Sequence, residues 1–183
     1  MKELVLILGG ARSGKSAYAE RRARERGGSV AFVATATADD DEMARRIAAH
    51  RTSRPADWTT IEAPVAVAAH LSALPPATAT VIVDCLTLLV SNLLLAHEAE
   101  SEAVVARLVE AEVDALLDCY AAGAATWLVV SNEVGLGLVP PYRLGRRYRD
   151  LLGRVNARVA ARADRVYLMI AGLPVDVKRL AEG

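Results

Sequence analysis

The chain has 183 residues, 53% of them hydrophobic and 24% charged, which is enough apolar side chain to close one core, and residues 1–183 read as a single domain. Its 22 basic residues balance its 22 acidic ones, so there is no net field of the kind that holds a protein on nucleic acid or an anionic membrane. Cys85 and Cys119 stand far apart without a CxxC spacing, which argues against a zinc site or a disulfide framework and predicts buried thiols in a reducing compartment.

Leu4–Leu8 is an apolar run shorter than a signal-peptide core, and a glycine-rich loop follows it in place of a cleavage site. It reads as a strand, and the protein as cytoplasmic. Further short apolar runs stand at Val30–Ala34, Val81–Val83, Trp127–Val130 and Val166–Ile170. Between them the spacing predicts helices over Lys15–Arg26, Asp39–Ala49, Pro64–Leu74, Leu86–Ala96, Glu102–Ala121 and Tyr142–Ala163. In the last, Leu144, Tyr148, Leu151, Val155 and Val159 fall on one face. Gly27-Gly28 ends the first helix, and Pro75-Pro76 and Pro140-Pro141 break the chain before a strand and before a helix. Val81–Ala96 contains Asp84, Ser91 and Asn92 and falls short of the ~20 apolar residues of a membrane span. Strands bare of polar residues must be covered on both sides, so the alternation predicts an α/β fold, a mostly parallel sheet with helices on both faces.

The loop Gly9-Gly10-Ala11-Arg12-Ser13-Gly14-Lys15-Ser16 lies between the first strand and the first helix, and its Gly-x-x-x-x-Gly-Lys-Ser spacing is that of a Walker A phosphate cradle for ATP or GTP. Glycines let the backbone curl so that its N–H groups face phosphate oxygens, and the positive end of the following helix favours the anion. Lys15 is expected at the β- and γ-phosphates and the Ser16 hydroxyl on Mg²⁺. Asp84 closes the strand Val81–Val83, where a second metal contact is expected beside such a loop; an Asp in that place is also a common helix cap.

The segment from Asp39 to Pro55 opens acidic and closes basic, a gradient that suits one helix dipole. His50 follows Met43 and Ile47 at helical spacing, and two readings stand: a histidine on an apolar helix face, or a neutral imidazole nucleophile toward phosphorus with Arg51 and Arg54 neutralising the attacked phosphate. Glu133 is either a residue that positions substrate or water, or a solvated loop carboxylate. Arg143, Arg146, Arg147, Arg149, Arg154 and Arg158 make a basic helix without interleaved aromatics, read as a solvated or subunit-contacting face with no nucleic-acid role. His70 and His97 lie outside any ligand spacing.

The Walker loop, Asp40-Asp41-Glu42-Met43, His50 with Arg54-Pro55-Ala56-Asp57-Trp58, Asn132-Glu133-Val134-Gly135-Leu136-Gly137-Leu138-Val139-Pro140 and Gly153-Arg154-Val155-Asn156 together resemble the bifunctional adenosylcobinamide kinase/adenosylcobinamide-phosphate guanylyltransferase family of cobalamin nucleotide-loop assembly. The match runs from about Leu4 to Val177. The resemblance implies a RecA-like P-loop NTPase fold and two reactions. In the first, ATP or GTP phosphorylates the adenosylcobinamide hydroxyl; in the second, GMP passes from GTP to that phosphate through a guanylylated histidine. That histidine falls on His50, and Ala49 departs from relatives that carry a second histidine beside it. The implied nucleotide contacts are Gly9 to Ser16, Ala34, Thr35, Ala36, Arg51, Thr52, Ser53, Arg54, Glu62 and Asp84, with Mg²⁺ on Ser16 and Asp84; a homotrimer is implied as well. Taken alone, the residues also admit a single-activity P-loop kinase of a small molecule, or a nucleotide-dependent switch ATPase or GTPase.

Overall fold

The computed structural model describes residues 1–37, 45, 48, 51–52, 54–71 and 74–181. The apolar runs of the sequence become strands β1 (Leu4–Gly9), β2 (Ser29–Ala34), β4 (Thr78–Asp84), β5 (Thr126–Val130) and β6 (Arg165–Ile170), joined by β3 (Thr59–Glu62) and β7 (Leu173–Asp176). They form one seven-stranded sheet in the order β3-β2-β4-β5-β1-β6-β7. All neighbours pair parallel except β6 with β7. The helices are α1 (Lys15–Arg26), α2 (Val67–Leu71), α3 (Leu86–Ala96), α4 (Glu102–Ala122), α5 (Arg143–Arg162) and α6 (Val177–Ala181).

Side chains alternate across the strands and sort into two cores. Leu4, Leu6, Ala31, Val33, Val81, Val83, Trp127 and Val129 face the layer that holds Leu89 of α3, Val109 and Leu116 of α4 and Leu152 and Val159 of α5. Val5, Ile7, Phe32, Ile82, Leu128 and Val130 face the other way, against Tyr18, Ala19 and Ala23 of α1. Helices therefore cover both faces, as a parallel sheet requires. Ile82 and Leu128 are wholly buried, and truncating either to alanine removes about 2–5 kcal/mol of stability. α4 begins where Ser101 caps it, its side chain accepting from the Val104 N–H with Glu102 in the first turn.

Several elements depart from the sequence expectations. The helix predicted over Pro64–Leu74 begins only at Val67, because Ala66 adopts φ 51° and the N–H of Val67 is taken by the Glu112 carboxylate at 2.6 Å; residues 72–73 lie outside the described residues. β3 and β7 were not legible as strands: they are short, mixed in polarity and confined to the sheet edges, and β7 carries Pro174. The helix predicted over Asp39–Ala49 lies outside the described residues apart from Arg45 and Ala48. Cys85 and Cys119 are free thiols in residues that keep some exposed surface, and both pack against the hydrophobic cores. Among the described residues no helix is long and apolar enough to cross a membrane.

Candidate active site

The Walker loop connects the carboxyl end of β1 to α1. Gly9 has φ 149°, and a Cβ there would stand 2.6 Å from Ser13 Oγ and 2.7 Å from the Met169 carbonyl, so only glycine fits. Gly14 heads α1 with no side-chain cap, which leaves the first N–H groups of the helix to a ligand. The loop is tied by the Ser13 N–H on the Gly10 carbonyl, 3.3 Å, and by the Gly172 N–H on the Ser13 carbonyl, 3.1 Å. Ser13 Oγ is buried with no partner among the described residues. Lys15 is 8% exposed, and its ammonium donates to the Gly10 carbonyl at 2.7 Å. Burial lowers the Lys15 pKa, and the carboxylate of Asp84 opposes that shift.

Asp84 ends β4 and lies in a row of strand termini. Glu62 of β3 registers with Ala34 of β2, Ala34 with Asp84, and Asp84 with Val130 of β5. The Asp84-Cys85 peptide is cis. Thr35, fully buried, holds it: the Thr35 hydroxyl donates to the Cys85 carbonyl at 2.7 Å and accepts from the Cys85 N–H at 2.8 Å, and the Thr35 N–H donates to the Asp84 carbonyl at 3.2 Å. The Asn92 amide of α3 donates to the Thr35 and Pro64 carbonyls, both at 2.9 Å. Each polar group of Thr35 thus already has a protein partner, and its evident work is to fix the β2 and β4 ends. Burial pushes the Cys85 thiol up to about 11, so it stays protonated beside Asp84.

The basic residues approach the same row from the β3 side. Arg51 pairs with Glu62 at 3.3 Å, an exposed contact of small energy. Arg54 is more firmly set: its guanidinium lies 3.6 Å from the centre of the Phe32 ring, a cation–π contact. Burial lowers the Arg54 pKa, while Asp84 and Glu20 oppose that shift. Arg54 Nε is buried without a partner among the described residues. Thr52 is exposed and its hydroxyl donates to the Ala48 carbonyl at 2.9 Å. Ala34 is nearly covered and Ala36 partly exposed. His50 and Ser53 lie outside the described residues.

The fold therefore brings together Gly9 to Ser16, Ala34, Thr35, Asp84 and Arg54, with Glu62 and Arg51 further out at the edge strand. The sequence reading did not foresee Phe32 as the platform under Arg54 or Asn92 as the clamp on Thr35. An Asn inside the largely apolar run Leu86–Ala96 was the available signal for the latter. Four arginines of the basic face of α5 are engaged within the chain: Arg143 and Arg147 pair with Glu102, Arg158 with Asp114, and Arg146 donates to the Pro140 and Pro141 carbonyls.

A glycine-rich phosphate loop between the first strand and the first helix of a parallel sheet, with an acidic residue ending a nearby strand, defines a P-loop nucleotide-binding protein of the α/β class. The crystal structure of the RadB recombinase has the same fold, with a TM-score of 0.51 at 15% identity over 91% of this chain and 73% of that one. The chain belongs to the cobinamide kinase / cobinamide phosphate guanyltransferase family, whose model matches residues 5–177. It is 47% identical over 173 residues to the bifunctional adenosylcobalamin biosynthesis protein CobP of Pseudomonas aeruginosa, covering 94% of this chain and 96% of that protein. It is 39% identical over 185 residues to the bifunctional protein CobU of Salmonella typhimurium, covering 96% and 99%.

Proposed function

We propose that this chain uses one nucleotide site for two successive transfers. It phosphorylates the hydroxyl of adenosylcobinamide with ATP or GTP, and it then transfers GMP from GTP to the new phosphate to give adenosylcobinamide-GDP. Family membership and the bifunctional relatives support the two activities. The observation that carries the shared site is that Asp84, at the carboxyl end of β4, acts through its charge on both Lys15 of the phosphate loop and Arg54.

In the kinase step, the P-loop N–H groups and Lys15 hold the β- and γ-phosphates; the substrate oxygen attacks the γ-phosphorus as its bond to the nucleoside diphosphate breaks. In the transferase step, a His50 ring nitrogen attacks the α-phosphorus of GTP and pyrophosphate leaves; the cobinamide phosphate oxygen then attacks the same phosphorus and the P–N bond breaks. Two chain neighbours of His50 support this role. Arg51 is paired to Glu62 at the end of β3, and Arg54 is anchored on Phe32 within the field of Asp84.

Ser16, in the first turn of α1, and Asp84 supply one hydroxyl and one carboxylate, a donor set that suits Mg²⁺ completed by phosphate oxygens and water. Those two residues would hold the ion, which supplies charge neutralisation across the phosphates. We place the enzyme in the cytoplasm and assign it a homotrimeric assembly, the latter by family resemblance.

The test uses purified chain and adenosylcobinamide. γ-Labelled ATP or GTP should label cobinamide phosphate, and a chase with α-labelled GTP should carry label into adenosylcobinamide-GDP with release of pyrophosphate. Phosphorylation without GMP transfer would reduce the protein to a kinase, and acceptor-independent hydrolysis alone would make it a switch. Light scattering that yields a mass other than three copies would remove the trimer.

A further inference from the structure

The exit of β5 carries a polar assembly that the nucleotide reading leaves unused. Beyond Val130, the Ser131 N–H donates to the Ile7 carbonyl at 2.9 Å and the Glu133 N–H to the Gly9 carbonyl at 3.1 Å. The chain after β5 is thereby pinned along β1 as far as the first glycine of the phosphate loop. Asn156 of α5, 5% exposed, lies beneath it and uses both ends of its amide: Oδ1 accepts from the Ser131 hydroxyl at 2.7 Å, and Nδ2 donates to the Asn132 carbonyl at 2.9 Å. The Asn132 N–H in turn donates to Thr87 Oγ1 of α3 at 2.8 Å. Buried polar groups are retained only when satisfied, and a satisfied network of this kind fixes one backbone geometry. Two helices and a strand therefore hold Ser131 and Asn132, the two residues that lead to Glu133.

The Glu133 side chain is itself held. Its Oε1 accepts from the Gly135 N–H, which turns the carboxylate back onto its own loop. Among the described residues no cation pairs with this half-covered carboxylate. Immediately past it Leu136, Leu138 and Val139 are 85%, 96% and 64% exposed. Such side chains offer phosphate oxygens no donor, whereas they can cover the apolar part of a bulky organic acceptor. Glu133 thus links, along the chain, the backbone pinned to Gly9 of the phosphate loop and the exposed apolar stretch that follows it.

Building on the two-step function above, we propose that Glu133 accepts the proton of the acceptor hydroxyl during phosphoryl transfer, with Asn156 as its positioning residue. As the substrate oxygen bonds to the γ-phosphorus and the bond to the nucleoside diphosphate breaks, the hydroxyl proton passes to the Glu133 carboxylate and from there to water. GMP transfer from GTP to the enzyme involves no acceptor hydroxyl and does not use this group.

The experiment measures kinase kcat and KM for adenosylcobinamide and ATP in wild type, Glu133→Gln and Glu133→Asp, with formation of the α-labelled GMP adduct on each protein as a report on the nucleotide site. Glu133→Gln should lose about 100-fold in kcat. Its ATP KM and adduct formation should stay near wild type, and Glu133→Asp should recover part of the rate. Unchanged kcat in Glu133→Gln overturns the assignment, and a wild type that still performs both transfers then leaves the two-step function standing. Equal loss of kinase rate and adduct also overturns it, because Glu133 would then only shape the loop. A wild type without kinase activity overturns the function on which the proposal rests.

Discussion

The ammonium of Lys15 is turned onto the carbonyl of Gly10, 2.7 Å away within its own loop, while burial lowers its pKa. A bound phosphate offers that ammonium a charged partner in place of a neutral one, and charge-assisted bonds are roughly twice as strong. Lys15→Ala should therefore lower both transfer rates by on the order of 10²–10³-fold. Steady-state assays of each reaction check this, with circular dichroism to establish folding; near-normal turnover of either reaction in a folded variant contradicts a shared phosphate site.

Asp84 has a second prediction attached to it. If its carboxylate helps to hold Mg²⁺, Asp84→Asn should raise the Mg²⁺ concentration needed for half-maximal rate and recover in excess Mg²⁺. An activity loss with an unchanged Mg²⁺ titration would confine Asp84 to orienting Lys15 and Arg54.

Thr35→Val keeps the shape of the side chain but removes the hydroxyl that both donates to and accepts from Cys85. The Cys85 N–H loses its partner, whereas the Cys85 carbonyl keeps the Leu89 N–H, and stability should fall by roughly 1–3 kcal/mol. Urea unfolding gives the number, and a difference below a few tenths would mean that water replaces the hydroxyl.

Alkaline pH should weaken the fold. Burial raises Cys85 to about 11 and Tyr148 to about 12, so between the unfolded and the folded pKa the unfolded state releases protons that the folded state keeps. Stability is then fully present below about pH 9 and falls as pH rises toward 11 and 12. Unfolding curves from pH 8 to 11 should show this decline, and Cys85→Ala should flatten its first part. A wild-type curve flat across that range would contradict the burial of these groups.

What the sequence made legible follows from how locally each feature is encoded. The Walker loop is legible because Gly9, Gly14, Lys15 and Ser16 are close in the chain and each has one physical duty. The strands β1, β2, β4, β5 and β6 are legible because burial on both faces leaves them unbroken apolar runs, and α1, α3, α4 and α5 because their apolar spacing is helical. β3 and β7 lack that signature because an edge strand needs neither two apolar faces nor much length. Arg54 on Phe32, Asn92 on Thr35 and Asn156 under Ser131 join residues 22, 57 and 25 positions apart, and no local pattern encodes them.

The central claim is that GMP transfer passes through His50 whereas phosphorylation does not. The most direct measurement incubates wild type and His50→Ala with α-labelled GTP, follows the protein-bound label, probes it with acid and base, and assays kinase turnover in parallel. A guanylyl-histidine has a P–N bond, so the wild-type label should be released by acid and persist in base, and it should fade as pH falls and the ring becomes protonated. His50→Ala should take up no label yet retain kinase turnover. An adduct that resists acid, or one that persists in His50→Ala, would contradict the account.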